Sequence, residues 1–280
     1  MSFSHQRGNE IDDVSLWRFS GLQLLLVMSR ILSKPDDDDL PRIDRAKVGE
    51  FFAERARRID RIGPVRAVIY QDKHADLAER RDAAEKACLT PLLRLGGVER
   101  LLDVGCGTGR WARELLGHCA AYHGMDFSRE LIAYAKSHLG ESADCRFTVA
   151  AVDNFTLNSL HESLPFDRIL CAGVLIYLND DELLSALRNI AGVMAPKSRA
   201  VFREPMAVSQ RLTIKDHFSD ELEQAYNAIY RTEEQIRSLI VEAMSSSGCR
   251  SLDSGDVYAD ESMNNRAETR QRWLVVERCA

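Results

Sequence analysis

The stretch Leu101-Leu102-Asp103-Val104-Gly105-Cys106-Gly107-Thr108-Gly109-Arg110 constrains the fold of this 280-residue chain most. Two leucines, an acid and a valine spell a short buried strand. Three glycines at alternate positions spell a tight turn, and Trp111 to Leu116 the helix that leaves it. Glycine lets the backbone approach a ligand without a Cβ in the way, so strand, turn and helix together make a pocket for a nucleotide-like ligand. The dinucleotide fingerprint G-x-G-x-x-G needs its third glycine one place later, where this chain has Arg110. A pyrophosphate also favours a neutral turn at the helix N-terminus. Asp103, just before the glycines, suits a ligand with a positive amine instead. An NAD-dependent oxidoreductase is disfavoured on both grounds.

The strand–acid–helix unit repeats. Ala120 to Asp126 reads as a second strand ending in an acid, and Ser128 caps a helix from Arg129 to His138 with Glu130 in its first turn. Asp126 lies about 20 residues past the glycine turn, the usual distance for an acid that hydrogen-bonds a ribose diol. Cys145–Ala151, Phe166–Val174 and Ala200–Pro205 read as three further strands, with a helix from Asp180 to about Met194 between the last two. A helix from Thr232 to Met244 precedes two final strand-like runs, Ser251–Tyr258 and Gln271–Arg278. Alternating strands and helices predict an α/β fold: a doubly wound, mostly parallel seven-stranded sheet with helices on both faces.

The string from Asp103 to Gly109 resembles motif I of the class I S-adenosylmethionine-dependent methyltransferases. The likeness covers residues 98–205 well, the terminal strands loosely and the first fifty residues not at all. It implies an antiparallel last strand and S-adenosylmethionine as cofactor. It places Asp103, Gly105, Cys106, Gly107 and Gly109 on the amino-acid end of that donor and Asp126 on its ribose. Phe127 is then a candidate to lie against the adenine, Asp153 to accept from the adenine amine with Asn154 beside it, and Ala172 to face the donor from the fourth strand. N-terminal helices form a lid in this family. Arg81 on such a helix is a candidate partner for the donor carboxylate, and Tyr70 to cover the donor.

Composition bounds the rest. Apolar residues make up 45% of the chain, enough for a full core, and the net charge of −6 argues against a general nucleic-acid surface. Seven scattered cysteines form no C-x-x-C pair, so neither a metal site nor a disulfide framework is suggested, and reduced thiols suit a cytoplasmic protein. The apolar run Leu22–Leu32 is broken by Ser29 and Arg30 and is too short to span a bilayer. Val14–Leu32 reads as an amphipathic helix that packs on its own domain or on a second subunit, with a homodimer through this arm as one assembly. Ser33–Pro41, two prolines around a run of acids, reads as a linker. The resulting division is an arm and acidic linker over residues 1–41, lid helices over 42–97 (Ile43–Ile62 and His74–Leu95), and a core over 98–280. Within the core, about 206–231 is an insertion.

Methyl transfer from a sulfonium is an in-line displacement, so a protein mainly has to align the nucleophile and exclude water. A base is needed only when the nucleophile arrives protonated. The Asn/Asp-Pro-Pro-aromatic run of nucleobase-amine methyltransferases is missing after the fourth strand, as are the acids of the metal-dependent catechol type and the acid pair of polyamine synthases. A small-molecule acceptor remains: a sugar, a saccharide end or a specialised metabolite, methylated on oxygen or nitrogen. His217 is the first candidate base because histidine titrates near neutrality. Glu204 is the second, and Tyr177 a candidate to position the acceptor. A non-catalytic subunit of the same fold, using the N-terminal arm as its interaction element, is the competing reading.

Overall fold

The structure is a computed structural model and describes residues 29–34, 37, 39–69, 76–220, 222–264 and 266–279. In chain order its strands are β1 (Arg30–Ser33), β2 (Arg100–Val104), β3 (Ala121–Asp126), β4 (Cys145–Val149) and β5 (Phe166–Ala172), then β6 (Met194–Ala207), β7 (Arg211–Ser219), β8 (Gln224–Tyr230), β9 (Cys249–Asp256) and β10 (Thr269–Arg278). The helices are α1 (Arg45–Arg57), α2 (Ile59–Ile62), α3 (Pro64–Val68), α4 (Leu77–Leu93), α5 (Ala112–Leu115), α6 (Arg129–Leu139), α7 (Asp180–Val193) and α8 (Glu233–Met244).

Seven strands form one sheet in the order β4-β3-β2-β5-β6-β10-β9. The first five are parallel, and β10 runs antiparallel to both β6 and β9. The expected doubly wound sheet with an antiparallel last strand is what forms. That strand lies one place in from the edge, which β9 forms. It is inserted between β6 and β9, so both its ladders are filled, and Leu274, Val275 and Val276 are wholly buried.

Side chains alternate across this sheet, which assigns its two faces. Leu170 of β5 and Val201 of β6 join Leu89 and Leu93 of α4 and Ile132 and Ala135 of α6 in one core. Their neighbours Ile169, Cys171, Ala200 and Phe202 join Leu183, Leu187 and Ile190 of α7 and Ile236 and Ile240 of α8 in the other. Three caps fix where helices start. The Ser128 hydroxyl accepts from Leu131 N, while Asn179 with Glu182 and Thr232 with Gln235 close capping boxes at α7 and α8.

Several boundaries differ from the sequence reading. The reading of Ile43–Ile62 as one helix is divided into α1 and α2, and the helix after the glycine turn shrinks to the single turn α5. Residues 14–28 of the expected arm helix lie outside the described residues, and so do His74 and Ala75 at the start of the second lid helix. Arg30–Leu32, read as the end of the arm helix, is instead strand β1, paired antiparallel with β7. The open edge of β7 supplies backbone partners that outweigh local helix preference. The segment read as an insertion is a β-hairpin, β7–β8, which with β1 makes a three-stranded antiparallel sheet. Leu212, Ile214, Tyr226, Ala228 and Tyr230 of this hairpin pack with Phe51 and Phe52 of α1.

An ion cluster docks the hairpin on the larger sheet. Arg231 is 1% exposed; its Nε donates to Asp180 Oδ1 at 2.7 Å, and its other nitrogens donate to Leu175 O at 3.2 Å and Leu178 O at 2.7 Å. Arg211 Nη1 donates to Asp180 Oδ2 at 2.7 Å. Burial opposes ionisation of Asp180, but the two guanidiniums outweigh it and hold its pKa below the ordinary carboxylate value. Removing one partner of a buried pair leaves an uncompensated charge. Asp180→Asn is therefore expected to destabilise the fold by about 3 kcal/mol, measured by urea unfolding at neutral pH. Because the folded pKa lies below 3.8, the contribution should be intact at pH 5 and fade only as pH falls through that folded value, so the gap between variant and wild type should narrow only in strong acid.

Candidate active site

The C-terminal ends of β2, β3 and β5 meet at one place, where open α/β sheets bind ligands. Gly105 N and Cys106 N donate to Met125 O at 2.7 and 2.9 Å, tying the glycine turn to the end of β3. Asp126 ends that strand. Its two carboxylate oxygens accept from Gly107 N at 3.0 Å and Ser128 N at 2.8 Å, and burial still pushes its pKa up to about 6. Gly105 has φ +74°, and a Cβ there would run into the side chain of Val174. The turns after β2 and β5 therefore touch, and only glycine fits between them.

These turns form one wall of a cavity of about 400 Å³. At the β3 end it is lined by Gly107, Asp126, Phe127, Leu131 and Val152; over β5, β6 and β10 by Gly173, Tyr177, Arg203, Pro205, Thr269 and Gln271. Helix α1 and the hairpin close it with Phe52, Tyr226 and Tyr230. Phe52 stands edge-on to Phe127 at 5.6 Å and to Tyr177 at 5.1 Å, which links the two ends through one aromatic wall.

Of the residues singled out from sequence, Gly105, Cys106, Gly107, Asp126, Phe127, Ala172, Arg81 and Tyr177 line this cavity. Tyr70 lies outside the described residues. The other six sit elsewhere. Asp103 is buried beneath the turn and accepts from the Tyr122 hydroxyl at 2.5 Å, with burial pushing its pKa up to about 7. Gly109 packs against Ala135 and Leu139 of α6. Asp153 faces Arg45 at 3.5 Å behind the cavity wall, and Asn154 is exposed in the adjoining turn. His217 belongs to β7, away from the cavity lining, where its Nδ1 is 2.9 Å from the Ser29 hydroxyl.

Glu204 is the instructive case. Burial pushes its pKa up to about 7, a value that suits a base. Yet it is 1% exposed, does not line the cavity, and accepts from Val174 N at 2.9 Å and Leu175 N at 3.0 Å. Its carboxylate holds the turn after β5 in place. The neighbouring Arg203 lines the cavity because consecutive strand residues point to opposite faces.

The sequence reading missed further polar lining residues, among them Arg45, Arg203, Tyr258 and Gln271, and gave Arg110 no role beyond the absence of a glycine. Arg110 Nη1 meets Asp82 at 2.8 Å and its Nη2 meets Glu85 at 2.5 Å. Glu85 also pairs with Arg203 Nη2. Arg81 Nε donates to Met263 O at 2.7 Å. Nothing in local sequence joins Glu85, on α4, to an arginine on β6. Among the described residues no group of three or more His, Cys, Asp or Glu gathers to hold a metal ion, and no helix is long and apolar enough to cross a membrane.

The sheet order, the glycine turn and the acid ending β3 define a class I methyltransferase fold. Residues 101–197 match the family described as "Methyltransferase domain". Over 126 residues, 43% of this chain, the sequence is 30% identical to nodulation protein S of Sinorhizobium fredii and covers 56% of that protein. The chain thus spans about half the length of the curated relatives it matches. Phosphoethanolamine N-methyltransferase 1 of Haemonchus contortus superposes with TM-score 0.65 at 15% identity, over 84% of this chain and 49% of that one. The N-methyltransferase NodS of Bradyrhizobium japonicum superposes with TM-score 0.52 at 17% identity, over 81% of this chain and 98% of that one.

The placement of Glu204 generates a test. A carboxyl with a folded pKa near 7 against an ordinary 4.5 disfavours folding by roughly 3 kcal/mol once ionised, at 1.36 kcal/mol per pKa unit. That cost is absent below pH 4.5, grows as pH rises to about 7 and is constant above it. Glu204→Gln keeps an acceptor for Val174 N and Leu175 N and carries no charge. Its melting temperature should fall less steeply than that of wild type from pH 5 to 8, the remaining slope coming from Asp103 and Asp126, and turnover should stay within threefold. A base role would instead abolish turnover.

Proposed function

We propose that the chain binds S-adenosylmethionine and transfers its methyl group to an oxygen or nitrogen of a small molecule. The observation that carries this reading is a single continuous cavity with two chemically different ends. Asp126 and the glycine turn stand at one end, and tyrosines at the other. At the first end Asp126 is the residue expected to accept from a ribose diol, with its carboxylate already oriented by two backbone N–H groups. Gly105 and Gly107 leave room for the amino-acid part of the donor, and Phe127 stands ready to cover the adenine. Ala172 lines the donor side from β5, and Arg81 is the residue proposed to meet the donor carboxylate.

S-adenosylmethionine, when bound, supplies an activated methyl on a sulfonium. The protein's contribution is alignment and exclusion of water. Gly173 and the backbone after it bring the end of β5 against the middle of the cavity, and Glu204 keeps that turn rigid. Tyr177, Tyr226 and Tyr230 wall the acceptor side, with the Tyr226 and Tyr230 hydroxyls 3.0 Å apart. This packing positions an acceptor without requiring a base. Glycine N-methyltransferase and ubiquinone biosynthesis O-methyltransferase are among the relatives that support transfer to oxygen or nitrogen.

Calorimetric titration with S-adenosylhomocysteine tests the donor end. Wild type should bind in the micromolar range, and Asp126→Ala should weaken binding at least tenfold. Because Asp126 takes up a proton as pH falls through about 6, affinity should drop between pH 7.5 and 5.5. Asp126→Asn should lose that pH dependence. Absence of binding by the intact chain would reject the donor assignment.

A further inference from the structure

The cavity wall over β6 and β10 carries polar groups to which the donor reading above gives no role. Arg203 sits there, paired in register with Ala172 of β5 and Trp273 of β10, and its Nη1 lies against Gly173. The residue is 9% exposed. One nitrogen meets Glu85, while Nε has no hydrogen-bond partner among the described residues. Tyr258, 6% exposed, lines the same wall with its hydroxyl towards Arg203, whose cation works against the upward shift that burial gives the phenol. Gln271 stands beside them with its Oε1 unmatched, in an amide whose two ends can exchange by a flip. A buried polar group left unpaired costs about 1–3 kcal/mol. Two such atoms, Arg203 Nε and Gln271 Oε1, on one cavity wall mark a place made for a ligand.

Charge narrows the ligand. The lining carries four arginines, Arg45, Arg81, Arg110 and Arg203, against one carboxylate, Asp126, while Asp82 and Glu85 pair with Arg110 and Arg203 from behind. The donor adds a sulfonium beside a zwitterionic amino acid. A cationic acceptor would meet repulsion here, and an anionic one would complete the pairing. A guanidinium edge with one phenol matches the planar oxygens of a carboxylate.

We infer that the methyl acceptor is an acid, a small molecule whose carboxylate is held by Arg203 and Tyr258 beside Gly173. This rests on the methyltransferase reading above. The tyrosines opposite then enclose the apolar body of the acceptor.

The test is calorimetric titration of the full chain, saturated with S-adenosylhomocysteine, with benzoate and with its neutral counterpart benzamide. Benzoate should bind at least tenfold more tightly. Tyr258→Phe, which removes only the hydroxyl, should cut that preference severalfold. Arg203→Gln should abolish it in protein whose melting curve shows that it still folds without the Glu85 pair. Equal binding of the two probes, binding of neither, or a preference that survives both substitutions would overturn the inference. Tighter binding of inorganic phosphate than of benzoate would overturn the choice of a carboxylate. If Arg203→Gln weakens S-adenosylhomocysteine more than tenfold but leaves 5′-methylthioadenosine (which lacks the amino-acid tail) unaffected, Arg203 serves the donor and the acid seat falls. If wild type binds no S-adenosylhomocysteine, the donor reading has failed. The same benzoate and benzamide comparison on the free chain then decides the acid seat alone: a tenfold preference supports it, and none overturns it.

Discussion

Glu85 is wholly buried, and the architecture around the cavity depends on it. Its carboxylate joins Arg110, at the start of the turn-to-helix passage, to Arg203, near the end of β6. Without it two guanidiniums would face each other in a low-dielectric interior, a far worse arrangement than either alone in water. With it, helix α4 is keyed into the sheet by charge as well as by Leu89 and Leu93. The glycine turn, β6 and α4 thus hold one geometry. The cost of desolvating three charges is offset only because each meets an opposite charge at hydrogen-bonding distance. A lid helix that merely covered the donor would not need such a group.

How much of this was legible in the sequence follows from the range of the interactions involved. The parallel strands, the glycine turn and the caps at Ser128 and Thr232 are local, and period and composition reveal them. The hairpin β7–β8 was not legible, because its inner face takes its meaning from Phe51 and Phe52, more than 150 residues earlier in the chain. β1 was misread for the same reason: four residues carry too little periodic signal to announce a strand until β7 offers its edge. At the site, spacing and the repeated strand–acid–helix unit together point to Asp126, which lines the cavity. Asp103 was taken as a ligand contact from the motif, yet its carboxylate lies under the turn with Tyr122.

Arg203 and Glu204 show how far a simple rule reaches. Both stand near the C-terminal end of a strand, and an acid there attracts a base assignment. Period-two alternation requires that only one of them face the ligand side, and the apolar neighbours decide which. Val201 packs with α4 and Phe202 with α7 and α8. Arg203 shares the side of Val201 and so lines the cavity, while Glu204 shares the side of Phe202 and is committed to Val174 and Leu175. A pKa near neutrality at Glu204 therefore reports burial and not chemistry. The same alternation that removes an acid from the cavity puts a guanidinium there. In a cavity whose lining holds four arginines and one carboxylate, that exchange shifts the site from taking a proton toward holding a negative charge.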